Sequence, residues 1–231
     1  MDMCNLETEN ADPEMFRIGS NTFRRMAPDP EDVKKSLADL ENGIGNHGRY
    51  GTGEMSTSSR IWAGMGRGDV LLVCLIGQLK CLDAKDEHCW YYDNGCKAPY
   101  ANRLTSREGV NAISAQRLGN AAAGLQMGLM QCSGGAPAVP GVIRIFPAWD
   151  LNNNAQFELW ARDGFKVGAA CENGKITDFE ITSTLGKECR VHNPFDTNII
   201  VSDGVNEKEY SEQTIVFNTE IGKVYSLKQA K

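Results

Sequence analysis

The chain has 231 residues, 41% of them hydrophobic and 23% charged, and a formal net charge of −6. That length and balance suit one large or two modest globular domains with a buried core. The negative balance argues against nucleic acid or an anionic membrane as a partner, and the longest apolar run, Val70–Ile76, does not approach a membrane span.

Residues 1–28 read as an irregular lead-in. Its opening stretch, MDMCNLETENADPE, is acidic and polar, the opposite of a signal peptide. A cytoplasmic location is therefore expected, unless sequence upstream is missing. Asp29-Pro30-Glu31-Asp32 then has the chemistry of a helix start, with Val33, Leu37 and Leu40 as its apolar stripe and Gly43 as its stop. It opens a helical unit expected over residues 29–133. The glycines between Gly43 and Gly53 suit a flexible connection, or a backbone that approaches a ligand closely.

Ser56–Gly64 and Asp69–Leu82 read as two further helices about the turn Gly64–Gly68. Asp83–Arg107 is polar and aromatic, with Trp90-Tyr91-Tyr92 either folded on their own core or offered to a sugar face. Cys74, Cys81, Cys89 and Cys96 recur every seven or eight residues beside His88. Zinc ligand pairs usually sit about two to four residues apart, so small core thiols are the expected reading and no metal or other cofactor is expected. Ala112–Gln131 has helical composition, with Leu118, Ala121, Ala122, Leu125 and Leu129 on one side. Gly119, Gly124 and Gly128 along it point to close helix packing.

Ser133–Gly141 is rich in Gly and Pro, and the pattern changes beyond it from helical to alternating. A boundary is expected there, with an antiparallel sandwich over 142–231. Strands are expected over Val142–Phe146, Gln156–Ala161, Phe165–Cys171, Lys175–Ser183, Glu188–His192, Ile199–Ser202, Thr214–Phe217 and Lys223–Leu227. Arg162-Asp163-Gly164 and Asn173-Gly174 carry hairpin-turn chemistry. In Lys175–Ser183 the set Thr177, Phe179, Ile181 is the expected core face. Trp149 and Trp160 are expected to pack in the core or between domains.

The ordered motifs I-R-I-F-P-A-W (143–149), L-x-A-R-x-G-F-x-V (159–167), N-G-K-I (173–176) and S-x-x-G-x-x-C-x-V (183–191) resemble the C-terminal β-domain of the α-L-fucosidase-like enzymes, glycoside hydrolase family 95. The resemblance extends more weakly upstream, to about Gly51. Thr52-Gly53 match the family, Glu54 stands where the family has Trp, and Gly66-Arg67-Gly68-Asp69 resemble its helix-connecting turn. It implies an α+β chain: partial (α/α)6-barrel helices followed by an antiparallel β-sandwich. Thr52, Gly53, Glu54 and Trp90 are the substrate-binding positions so implied.

Aligned on Ala123-Gly124-Leu125 and Gln131, the family's general-base Asp falls on Gln116. An amide cannot take that proton near neutral pH, and no Asp or Glu lies between Glu108 and Asp150. The family's general acid lies upstream of the matched region, so the chain is expected to be either a fragment of a longer reading frame or a shortened protein.

Three functions follow as expectations. One is the C-terminal portion of a fucosidase-like hydrolase acting on fucosylated glycans, inactive as this chain alone. The second is a non-catalytic carbohydrate-binding or structural module using Trp62, Trp90, Tyr91, Trp149 or Trp160. The third is a remnant that self-associates through an exposed helical face.

Overall fold

The computed structural model describes residues 5–24, 58–72, 75, 115–134 and 139–230. The expected helix from Asp29, the glycine loop to Gly53 and the aromatic run at Trp90 lie outside them.

Within the stretch 1–28, expected to be an irregular lead-in, most of the described residues are helical instead. Leu6–Ala11 and Pro13–Arg24 form two helices. Local chemistry accounts for the first. Asn5 accepts hydrogen bonds from the backbone N–H groups of Glu7 and Thr8, and the Thr8 hydroxyl accepts from the Asn5 N–H, a reciprocal capping box. Among the described residues Ser58–Gly64 is the next complete helix, and residues 68–72 and 75 are again helical. Between them Gly66 has φ +72°. The Gly66 N–H donates to the Ala63 carbonyl and the Arg67 N–H to that of Trp62, which closes the helix as a Schellman turn that needs a residue at positive φ.

The helix expected over Ala112–Gln131 spans Ala115–Leu129 and passes without a linker into strand β1, Met130–Ser133. This corrects the expected boundary. Ser133–Gly141 is a hairpin loop inside the sandwich, because β1 pairs antiparallel with β2, Val142–Ile145, in the register Met130 to Ile145. The remaining strands are β3 Ala155–Ala161, β4 Phe165–Glu172, β5 Lys175–Ser183, β6 Glu188–His192, β7 Ile199–Ser202, β8 Glu207–Tyr210, β9 Thr214–Asn218 and β10 Val224–Gln229.

They form two sheets, ordered β1-β2-β6-β9 and β3-β4-β5-β10-β7-β8, in which every pair is antiparallel except β2 with β6. Their inner faces enclose the core. Ile143, Val191 and Ile215 on one side meet Val167, Ile181, Ile199 and Leu227 on the other, all nearly fully buried. Each such side chain contributes roughly 1.5–3 kcal/mol by leaving water. The turns expected at 162–164 and 173–174 are present, with Asp163 and Gly164 at φ 62° and 78° and Asn173 and Gly174 at 51° and 79°. Positive φ at two successive residues is the twist a tight hairpin needs.

In β5 the expected core face is right from Phe179 onward and wrong at Thr177. Cys171 pairs with Ile176 while Ala170 pairs with Asp178, so Thr177 is an extra residue in a β-bulge. The bulge changes the parity. Ile176 turns toward the core, and Thr177 is exposed.

Candidate functional site

The segment Phe146–Trp149 joins helices to sheets. Phe146 adopts φ 51°, a strained conformation for a residue with a Cβ, while its ring is buried edge-on to Phe157 at 5.4 Å. The sharp bend lets the Phe146 N–H donate to the Leu129 carbonyl at 2.6 Å and the Ala148 N–H to the Gly128 carbonyl at 3.2 Å. Two carbonyls left over at the C-terminus of the Ala115–Leu129 helix are thereby satisfied by a distant strand end. Gln131, buried on β1, adds its side-chain amide, which donates to the carbonyls of Ala63 (2.7 Å) and Met127 (3.0 Å) and so ties two helix ends together.

Close packing at this joint excludes side chains. A Cβ on Gly68 would fall 2.7 Å from the Ala148 carbonyl, and one on Gly128 would fall 2.5 Å from Leu71 Cδ2. Gly124 is pressed likewise against Ser59, whose hydroxyl donates to the Asn120 carbonyl. Gly119 has nothing within 4 Å. Of the three glycines expected to mark close packing, two do.

The first helix docks on the sandwich through a buried ion pair, in which Glu7 accepts from Arg144 Nε. His192 lies in the same field. Its Nδ1 is buried without a hydrogen-bond partner among the described residues, and burial first, then the Arg144 charge, pulls its pKa down to about 4. An unfolded His192 takes up a proton near 6.5. Between those values the unfolded chain holds more protons, so His192 makes stability fall as pH drops from about 6.5 toward about 4, with its contribution intact above that window. Urea midpoints of the native chain and His192→Gln at neutral and mildly acid pH check this. The native chain should lose stability more steeply through that window, and parallel profiles would exclude His192 as the cause.

Among the sequence-predicted site residues, Thr52, Gly53, Glu54 and Trp90 lie outside the described residues. Gln116 lies in the first turn of the Ala115–Leu129 helix, about 20 Å along the axis from its junction with β1. Asp150, the next carboxylate in the sequence, follows the joint at the opposite end of that helix and accepts from the Asn152 backbone and amide N–H groups. Of the expected constellation, the described residues thus fix only the backbone place of Gln116 and its axial distance from Asp150.

Other chemistry is limited. No group of three or more His, Cys, Asp or Glu among the described residues could hold a metal ion, and the Cys81, His88, Cys89, Cys96 run lies outside them. Cys132, Cys171 and Cys189 are free thiols, and burial raises the pKa of each, so they are poor nucleophiles. A shallow cavity of about 130 Å³ opens between Tyr210, Phe217, Asn218 and Tyr225, well below the ~300 Å³ at which ordinary ligand pockets begin. The Tyr225 hydroxyl there already accepts the Glu220 N–H.

The two sandwich tryptophans part company. Trp149 packs against the core, as expected, and its Nε1–H donates to the Asn153 carbonyl. Trp160 does not: its side is 65% exposed on the outer face of β3. The signal was present in the alternation, because Gln156, Glu158 and Trp160 share a parity opposite to that of Phe157.

Residues 141–227 match the family model described as glycoside hydrolase family 95, C-terminal domain. No curated protein matches the chain.

Proposed function

We propose, from the premise that residues 141–227 are a glycoside hydrolase family 95 C-terminal domain, that the chain is the C-terminal portion of a divergent α-L-fucosidase-like hydrolase. In this reading the sandwich is the base on which the last barrel helices stand, and the chain alone does not hydrolyse glycosidic bonds. The observation that carries it is Gln116, on the helix that runs straight into β1.

Inverting hydrolysis needs one carboxylic acid to protonate the leaving oxygen and one carboxylate to activate water, roughly 6.5–9.5 Å apart. Gln116 occupies the position where the resemblance puts the second group, and its amide cannot accept the proton from water. The neighbouring sequence offers no substitute, since Glu108 and Asp150 bracket a stretch without any carboxylate. A base about 20 Å away at the other end of a rigid helix does not serve a water at Gln116. Each properly placed general acid or base is worth about a hundred- to ten-thousandfold, so little acceleration survives even where sugar is held.

The purified chain incubated with an aryl α-L-fucoside should release aryl alcohol at the buffer rate. Turnover that Glu54→Gln or Glu108→Gln abolishes would overturn this reading and identify the replacement carboxylate.

A further inference from the structure

The outer face of the six-stranded sheet has a relief that no part of the joint explains. Strand pairing sets Trp160, Lys166, Thr182 and Val224 in one row across β3, β4, β5 and β10. The neighbouring row is Glu158, Gly168, Glu180 and Ser226, and the next begins Gln156, Ala170, Asp178. Strand β4 thus presents Gly168 and Ala170 between longer side chains on both sides. The result is a trough about 10 Å wide between the β3 and β5 walls.

Gly168 is not required by packing, because a Cβ there would meet only the Phe157 carbonyl, at 3.9 Å. One wall carries the exposed indole of Trp160. Lys166 is engaged by Glu158 at 2.8 Å. The carboxylates of Asp178 and Glu180 on the other wall are exposed and make no ion pair among the described residues.

We infer that this trough along β4 binds a neutral glycan, one sugar ring lying over Gly168 with its C–H face against Trp160 and its hydroxyls toward Asp178 and Glu180. The inference rests on the family reading for the choice of sugar, and on the trough itself for the site and its charge. Three carboxylates against one paired ammonium repel an anionic ligand, while unpaired carboxylates accept hydrogen bonds from hydroxyls. A large ring with a polar surround offers the apolar contact that a pyranose face needs.

The test titrates the full chain with a fucosylated trisaccharide, its unfucosylated disaccharide core and a sulfated oligosaccharide, followed by tryptophan fluorescence and calorimetry. A neutral sugar should bind and perturb the emission. Trp160→Ala should weaken it about tenfold, the factor that corresponds to ~1.4 kcal/mol of ring contact. Gly168→Val, which suits a strand and has room for its Cβ, should fill the trough and abolish binding with Trp160 intact.

Failure of every neutral sugar to bind, or binding that both variants leave unchanged, overturns the inference. So does tighter binding of the sulfated ligand. A dimer that Trp160→Ala dissolves would assign the face to a second copy of the chain and overturn it too. None of these outcomes touches the hydrolase reading, which stands or falls on turnover of the aryl fucoside.

Discussion

Glu7→Ala should destabilise the chain by about 3–5 kcal/mol, the usual consequence of removing one partner from a buried ion pair. Both side chains of the Glu7–Arg144 pair are only 10% exposed, so water cannot take the place of the lost carboxylate. The loss is a large part of the roughly 5–15 kcal/mol that holds a domain folded. It falls on a contact that links residues 137 apart in sequence. Equilibrium urea unfolding measures it directly.

The double variant Glu7→Leu/Arg144→Met should recover most of the loss, because apolar groups of similar size remove both charges from the interior together. A Glu7→Ala midpoint within about 1 kcal/mol of the native chain would mean that the first helix does not hold Arg144 in solution.

The second large effect is expected at Gly68. Its Cβ would strike the Ala148 backbone at 2.7 Å, and a carbonyl in a hydrogen-bonded bend cannot rotate away as a side chain can. Gly68→Ala should therefore cost about 1–3 kcal/mol and loosen the joint. Gly128→Ala should cost less, since its closest contact is the movable Leu71 Cδ2, with the Ala148 carbonyl next at 3.2 Å.

Gly119→Ala is the control. It fills open space on the same helix and should stabilise by up to about 1 kcal/mol through helix propensity. Thermal melts give the order, and hydrogen exchange at the Phe146 and Ala148 amides reports the joint itself. Native-like protection and melting in Gly68→Ala would show that the helices do not press on Ala148.

Much of the sandwich was legible because its signals are local. Asp163-Gly164 and Asn173-Gly174 can be read as turns from two residues each, and the strands between them alternate over stretches that contain their own pairing partners. Lys175–Ser183 and Glu188–His192 were read to the residue. Strand β8 was missed because Glu207-Lys208-Glu209-Tyr210 is a charged edge strand, written to avoid pairing on its free side rather than to fill a core. Of the expected site, Gln116 alone lies among the described residues. A helix can be read from periodicity, but what stands opposite its first turn cannot.

By itself, the sequence determined the class of the fold, the hairpins of the sandwich, the resemblance of residues 141–227 to a known domain family and the absence of any Asp or Glu between Glu108 and Asp150. Those properties depend on residue type and on neighbours a few positions apart. Only the tertiary structure decided that Met130–Ser133 is a strand rather than the last turn of a helix. Its backbone partner lies across the Gly/Pro loop, and pairing with Val142–Ile145 outweighs a helical turn. It likewise decided that Thr177 bulges outward, that Arg144 is neutralised by Glu7, and that Gly168 floors a trough beside Trp160. Each of those depends on which residues from separate strands and helices come to share one space, and the register of long-range pairing sets that rather than any local preference.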